Sequence, residues 1–217
     1  MTAGPLAGQT AVVTGALGRL GPVWCEALLG AGAMVAGIDL PGAAPPPGFQ
    51  AMQERNPDRL RLYRGDVRDR AALDQTRAQC HADLGVATVL VNNAGIDTPP
   101  GPAKTYTIEE IPAEVFRGVL EVNLVGAFNA LQVFGPPMMR LGRGSIVNIG
   151  SLYAGVSPDA RFYDHLGHEP PFLKPPAYGA SKAALVNLTR YLATHWGPFG
   201  VRVNALSPGG VEGGQDD

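Results

Sequence analysis

Six short apolar runs recur along the chain, and longer stretches of helical periodicity lie between most of them. TAVVT (10–14), MVAGID (34–39), LRLYRGD (60–66), ATVLVN (87–92), SIVNI (145–149) and VRVNAL (201–206) are rich in aliphatic and β-branched residues. Near-continuous apolar runs of this length describe strands buried on both faces, as in parallel sheets. Between them lie helical patterns. In 20–32, Leu20, Trp24, Ala27, Leu28 and Ala31 share one side, and Gly30 and Gly32 close the segment. Others cover about 70–84, 113–140 with a break expected near Pro136 and Pro137, and 177–196. Strand and helix in repeated alternation predict an α/β fold, a doubly wound parallel sheet with helices on both faces and right-handed crossovers. Such sheets bind ligands beyond the carboxyl ends of their strands, where strand order reverses. Chemistry is therefore expected just after each strand.

Composition narrows the function classes. With 217 residues, one domain spanning 1–217 is expected. Glycine (29) and proline (20) are abundant, yet 45% of residues are hydrophobic, which describes a globular chain with many turns. The formal net charge of −2 offers no basic surplus for phosphates, so no nucleic acid partner is expected. No basic leader is visible and no run approaches the ~18 apolar residues of a membrane span, so no membrane association is expected. Cys25 and Cys80 fall in predicted helices and suggest neither a disulfide framework nor a metal site, which suits a reducing cytoplasm.

After the first strand comes TGALGRLG (14–21), with glycines at 15, 18 and 21. Gly15 would allow a tight turn, Gly18 a close backbone approach to a pyrophosphate, and Gly21 close helix–sheet packing. The helix that follows would offer free N–H groups to the anion. The loop between these glycines holds Leu17, Arg19 and Leu20. After the second strand comes Asp39, 18 residues past Gly21. A carboxylate there can accept both hydroxyls of an adenosine ribose and would repel a 2′-phosphate, favouring NAD over NADP. A turn aspartate is the plainer alternative, and Arg19 in the glycine loop keeps a 2′-phosphate open. Asp66 and Val67 follow the third strand, and Asn92, Asn93, Ala94 and Gly95 the fourth. Asn and Gly suit left-handed turns, and the same residues could offer amide contacts to adenine and a backbone path past a cofactor.

In this order, TGxxGxxG, Asp39, Asp66-Val67, NNAG, Asn123 in EVNLVGAF, Ser151 in IVNIGS, YGASK (178–182) and VRVNALSPGG (201–210) resemble the short-chain dehydrogenase/reductase superfamily. The resemblance runs over about residues 8–210. It implies a Rossmann fold and an oxidoreductase that moves a hydride between NAD, less readily NADP, and a secondary alcohol or carbonyl carbon. Cofactor contacts would come from Gly15, Leu17, Gly18, Arg19, Leu20 and Gly21, then Asp39, Asp66, Val67, Asn93, Ala94 and Gly95. Tyr178, Lys182, Pro208 and Gly209 would complete them. Tyr178 would move the proton, Lys182 would also hold the nicotinamide ribose, Ser151 would polarise the substrate oxygen, and Asn123 would hold a water linking Lys182 to solvent. The residues allow this chemistry. Spacing i, i+4 sets Tyr178 and Lys182 on one helix face, and a nearby ammonium should pull the phenol below its usual pKa of about 10. The bland alternative for each residue is an ordinary helix or turn position.

Three departures from the family pattern stand out. The G-x-x-G-x-x-G spacing is closer to the extended branch of epimerases and dehydratases. Twenty-six residues separate Ser151 from Tyr178, about twice the usual gap. The chain also stops at Asp217, where members normally continue through a helix pair and a final strand. Either a truncated product or a natural short form fits, and a dinucleotide-binding module acting through association is the alternative to an enzyme. The inserted loop at about 157–177 carries Phe162, Tyr163, His165, His168 and Phe172 among prolines. It could be a lid or specificity wall, which would suit a sugar, sugar acid or polyol, or a surface excursion. His165, His168, Asp164 and Glu169 raise the thought of a metal, but exposed loop histidines are the preferred reading and no metal is expected. The helices at 113–140 and 177–196 resemble the family's dimer helices, so a homodimer or homotetramer is expected.

Overall fold

Strand β1 (Thr10–Thr14) is buried at every position, and its side chains divide between two cores. Val12 packs with Ile38, Leu90, Ile146 and Phe134, whereas Ala11 and Val13 pack with Val35, Val91, Cys25 and Phe49. Alternate residues of a strand face opposite sides, so β1 lies at the centre of a sheet covered on both faces. Its companions are β2 (Met34–Asp39), β3 (Leu60–Arg64), β4 (Ala87–Asn92), β5 (Gly144–Ile149) and β6 (Val201–Leu206). The order is β3-β2-β1-β4-β5-β6, all parallel. The computed structural model describes residues 4–97, 106–167 and 172–211.

Helices α1 (Gly21–Gly30) and α2 (Pro47–Arg55) cover one face through Cys25, Leu29, Phe49 and Met52. Helices α3 (Arg70–Leu84), α4 (Ala113–Arg140) and α5 (Pro176–Trp196) cover the other through Leu73, Phe134, Met138 and Trp196. Strand order reverses at β1, whose neighbours are β2 and β4, and the carboxyl ends of β1, β4 and β5 open on one rim.

Two elements depart from the sequence reading. Helix α2 was not expected in so proline-rich a stretch, but Pro47 sits in its first turn, where a missing N–H costs nothing, and Phe49 and Met52 bury its inner side. Helix α4 does not break at Pro136 and Pro137. Both prolines stand inside it, about one turn from its end at Arg140, and the burial of Phe134, Pro137 and Met138 holds the turn in place. Its irregularity lies earlier, in a π-helical turn over Glu121–Gly126 that contains Asn123. By length and mean hydropathy, α4 is the one described helix apolar enough to cross a membrane; 56% of its most apolar window is buried inside the protein.

A buried polar ladder ties these layers together. Asn92 Nδ2 donates to Asn148 Oδ1 at 2.9 Å and to the Ala127 carbonyl at 3.2 Å. Asn148 Nδ2 donates to Thr189 Oγ1 at 2.8 Å, and that hydroxyl donates to the Leu185 carbonyl at 2.8 Å. The ladder fixes β4 and β5 against α4 and α5, immediately below the rim.

Candidate active site

The loop after β1 is shaped by two close approaches. Gly15 adopts φ +64°, and a Cβ there would lie 2.7 Å from Ala94 Cα. A Cβ on Gly21 would lie 2.4 Å from the Ala16 carbonyl. Both contacts are with backbone, so neither position accepts a side chain without moving the loop. Helix α1 then starts at Gly21 with no side-chain cap and no acidic residue in its first turn, leaving its positive end for an anion. Asp39 Oδ2 accepts the Leu17 N–H at 2.7 Å and Oδ1 the Leu40 N–H at 2.8 Å. The carboxylate is thereby fixed against the glycine loop that the sequence paired with it. Gly18 and Arg19 are exposed on that loop, beside the half-buried Leu20.

The turn after β4 is built into the same loop. Asn93 Nδ2 donates to the Thr14 and Gly15 carbonyls at 3.1 and 2.9 Å, and Asn93 Oδ1 accepts the Trp24 indole N–H at 2.9 Å. Thr14 Oγ1 accepts the N–H groups of Asn93 and Ala94, both at 3.1 Å. The side-chain amide of Asn93 is therefore spent on protein, and the expected amide contact to adenine gives way to a clamp. Asn92 likewise points into the buried ladder. What Asn93, Ala94 and Gly95 turn toward the rim is backbone. Thr14 and Trp24 were not singled out from sequence; a threonine ending the strand just before Gly15 was the available signal. Farther along the rim, Asp66 holds Arg68 in an ion pair at 2.6 Å, which keeps its carboxyl below the usual range, and Asn129 Nδ2 holds the Val67 carbonyl at 2.9 Å.

Asn123, Ser151, Tyr178 and Lys182 meet where β4 and β5 end. The π-helical turn aims Asn123 at the chain after β4, where its Oδ1 accepts the Ile96 N–H at 2.7 Å and its Nδ2 donates to the Ile96 carbonyl at 2.9 Å. Nδ2 also lies 3.2 Å from Ser181 Oγ. A side chain at Gly95 would begin 3.3 Å from Asn123 Oδ1 and 3.5 Å from Lys182 Nζ, which measures how closely these groups gather. Lys182 is buried, donates to the Ile149 carbonyl at 2.7 Å and holds its Nζ 5.7 Å from the Tyr178 ring centroid. Burial lowers its pKa to about 8, with the Asp97 carboxylate opposing. Ser151 follows β5, is buried, and its Oγ accepts the Tyr153 N–H at 3.2 Å. The SPGG loop closes this side, the Pro208 carbonyl accepting the Leu152 N–H at 3.0 Å, with Gly209 next to it.

One electrostatic expectation is reversed. Burial holds the Tyr178 phenol above its ordinary pKa. The Ser151 hydroxyl opposes that by hydrogen bonding, and the Asp97 carboxylate and Tyr153 add to it. The i, i+4 spacing brings Lys182 close to the ring, yet desolvation of the half-buried ring is the largest influence on the phenol.

The inserted segment is ordered where described. A short 3-10 helix, Ala160–Leu166, is capped by Asp159, whose Oδ1 accepts the Arg161 N–H at 3.0 Å. The hydroxyls of Tyr163 and Tyr153 lie 3.4 Å apart, and the Tyr163 ring meets the buried Phe172 edge-on with centroids 4.9 Å apart. Phe162 points outward. Among the described residues no cluster of three metal-ligating side chains occurs; His168 and Glu169 lie outside them.

Known proteins are similar to this chain in sequence and fold. A family model described as enoyl-(acyl carrier protein) reductase matches residues 15–216. Galactitol 2-dehydrogenase of Rhizobium johnstonii is 36% identical over 207 residues, 95% of this chain and 73% of that protein. The chain belongs to the short-chain dehydrogenase/reductase family. D-threitol dehydrogenase of Mycolicibacterium smegmatis is 32% identical over 94% of this chain and 70% of its own. An NAD+-bound xylitol dehydrogenase structure superposes with a TM-score of 0.80 at 29% identity, covering 94% of this chain and 71% of the other. The short-chain dehydrogenase fold expected from sequence is thus the fold observed, and these three proteins are named as dehydrogenases of galactitol, D-threitol and xylitol.

Proposed function

We propose that this chain is an NAD-dependent dehydrogenase that interconverts a secondary alcohol of a neutral polyol with the ketone. The observation that carries the reading is the convergence of Ser151, Tyr178 and Lys182 at the end of β5, beside a loop that only glycine at 15 and 21 can form. That loop, the uncapped start of α1 and Asp39 fit a dinucleotide: backbone N–H groups for the pyrophosphate and a carboxylate for the ribose hydroxyls. Bound NAD would supply the hydride acceptor and a positive ring that favours phenolate. The chain's own residues manage the proton. Ser151 Oγ donates to the substrate oxygen, and Tyr178 Oη takes its proton as the carbinol is oxidised, or returns one on reduction. Lys182, anchored on Ile149, stands ready to steady the phenolate and a ribose hydroxyl. Neutral polyols are chosen because relatives are named for galactitol, D-threitol and xylitol. Asp39 favours NAD over NADP, while the exposed Arg19 is the group through which a 2′-phosphate would be met. The free, buried thiols of Cys25 and Cys80 suit a reducing cytoplasm.

The test is NADH formation from galactitol, xylitol, threitol and gluconate, run with NAD and with NADP, against Tyr178→Phe. Removing a general acid–base should cost about 10²-fold or more in kcat while NADH binding, read by fluorescence, is retained. Turnover that survives Tyr178→Phe would sink the mechanism; cofactor binding without turnover on any substrate would support a binding module instead.

A further inference from the structure

Lysine is scarce in this chain, with residues 104, 174 and 182 the only three, yet two of them stand over one ring. Lys182 Nζ lies 5.7 Å and Lys174 Nζ 5.4 Å from the Tyr178 centroid. Lys182 belongs to the same helix as the tyrosine. Lys174 comes from the inserted segment, and it donates to Asp97 Oδ2 on the chain after β4. The Lys174 side chain is only 9% exposed and that of Asp97 34%. This is not the freely solvated pair whose contribution is near zero; its charges sit beside a half-buried phenol, where solvent screens them less.

We propose that Asp97 and Lys174 are positioning residues for Tyr178 and Lys182: an ion pair, half of it supplied by the inserted segment, that sets the charge the tyrosine meets and so the pH range in which it can trade a proton. The proposal rests on the reading of Tyr178 as the proton-transfer group. Among the described residues, the charged and titratable groups facing the phenol are Lys182 from its own helix, Lys174 from the inserted segment, Asp97 from beyond β4, and Tyr153 from beyond β5. Ser151 is its neutral hydrogen-bonding neighbour, and Tyr163 stands next to Tyr153, their hydroxyls 3.4 Å apart. Two of these charges oppose each other. The Asp97 carboxylate disfavours phenolate, adding to the upward shift of Tyr178, and favours the Lys182 ammonium, opposing the downward shift that burial imposes on that lysine. The Lys174 ammonium favours phenolate directly and also offsets Asp97. With the pair intact the two effects partly cancel, and the inserted segment's place over the site has a chemical consequence beyond shape.

Opposite charges make an opposite-sign test. Lys174→Met removes a cation from beside both Asp97 and the ring, so the pH at which polyol oxidation reaches half its plateau should rise by about one unit, as expected for loss of a cation within ~6 Å. Asp97→Asn should lower it. The double variant should return toward wild type, and Lys174→Arg should match wild type. A pair that only held the loop in place would lower activity in both single variants without moving the profile in opposite directions. Unmoved profiles, or two shifts of the same sign, overturn the proposal. Because Lys174→Met could fail to fold, Lys174→Gln serves as a second neutral variant. Ultraviolet titration of tyrosinate, taken as the difference from Tyr178→Phe, reads the phenol without any turnover. Opposite shifts there in a protein that oxidises nothing would uphold the ion pair and sink the enzymatic reading. Polyol turnover with a titration and profile that neither variant moves would do the reverse.

Discussion

Lys182 carries a cost that the fold itself must absorb. Its pKa falls from 10.5 to about 8 because burial disfavours the ammonium. Below pH 8 the lysine is charged in both folded and unfolded chains, and the full penalty is present. Between pH 8 and 10.5 the folded chain releases the proton while the unfolded chain keeps it, so folding stability gained from this residue rises with pH. Across that window, wild type should gain up to about 3 kcal/mol relative to Lys182→Met, the free-energy equivalent of the depressed pKa. Urea titrations of both proteins at pH 7.5, 9 and 10 check it; a constant difference would mean the ammonium is better solvated than its burial implies. At this scale the sequence announces chemistry better than it announces sign. The i, i+4 spacing of Tyr178 and Lys182 is visible in YGASK, but the phenol's shift depends on its burial, on the Ser151 hydroxyl that opposes it and on the Asp97 carboxylate that adds to it, the last two brought near from the turns after β5 and β4. Asn93 shows the same limit. Its amide was free to face a cofactor as far as sequence could tell, and only the packing of Trp24 and Thr14 against it shows that it is used up.

Among the elements, the strands were legible because the four inner ones are short, largely apolar runs and the two edge strands, LRLYR and VRVNAL, alternate apolar with polar residues; the observed bounds fall within two residues of the expected ones. Elements shaped by packing were not. Helix α2 hides in PPPGFQAMQER because its propensity is poor and its hold on the sheet comes from Phe49 and Met52. The unbroken end of α4 hides because the prolines' lost hydrogen bonds matter less there than burial. The ladder Asn92–Asn148–Thr189 is invisible in sequence, since an asparagine inside IVNI reads as a flaw in a strand until its partners on β4 and α5 are seen. It makes a definite prediction. Asn148 is wholly buried, so Asn148→Val removes the acceptor for Asn92 and the donor for Thr189 while nearly keeping the volume. Stranding those groups should cost about 1–3 kcal/mol, seen as a lower urea midpoint with an unchanged slope. Adding Asn92→Val should cost less than the sum of the single changes, because the first change has already stranded the second.

At the scale of the whole molecule we propose self-association, for which two apolar surfaces among the described residues are candidates. One belongs to the helices that resemble the family's dimer helices: α4 exposes Val125 and Phe128, three residues apart, and α5 exposes Tyr191. The other lies on the opposite face, where Trp24, Ala27 and Leu28 of α1 meet Val91, Val147, Ile149 and Leu206 around a hollow of about 220 Å³. Large apolar side chains left in water on a helix face are the usual mark of a partner, and a stable dimer must bury on the order of 1,200–2,000 Å² in total. A long helix pair offers that area more readily than a hollow bounded by one helix and three strand ends. The helix face is therefore the expected contact. Phe128→Glu places a charge at its middle and should shift the protein from dimer or tetramer toward monomer in sedimentation velocity, whereas Leu206→Glu, at the rim of the hollow, should leave the assembly intact. Dissociation by Leu206→Glu with Phe128→Glu unaffected would move the interface to the α1 face. It would also mean that the exposed phenylalanine and tyrosine on the helices are isolated surface residues.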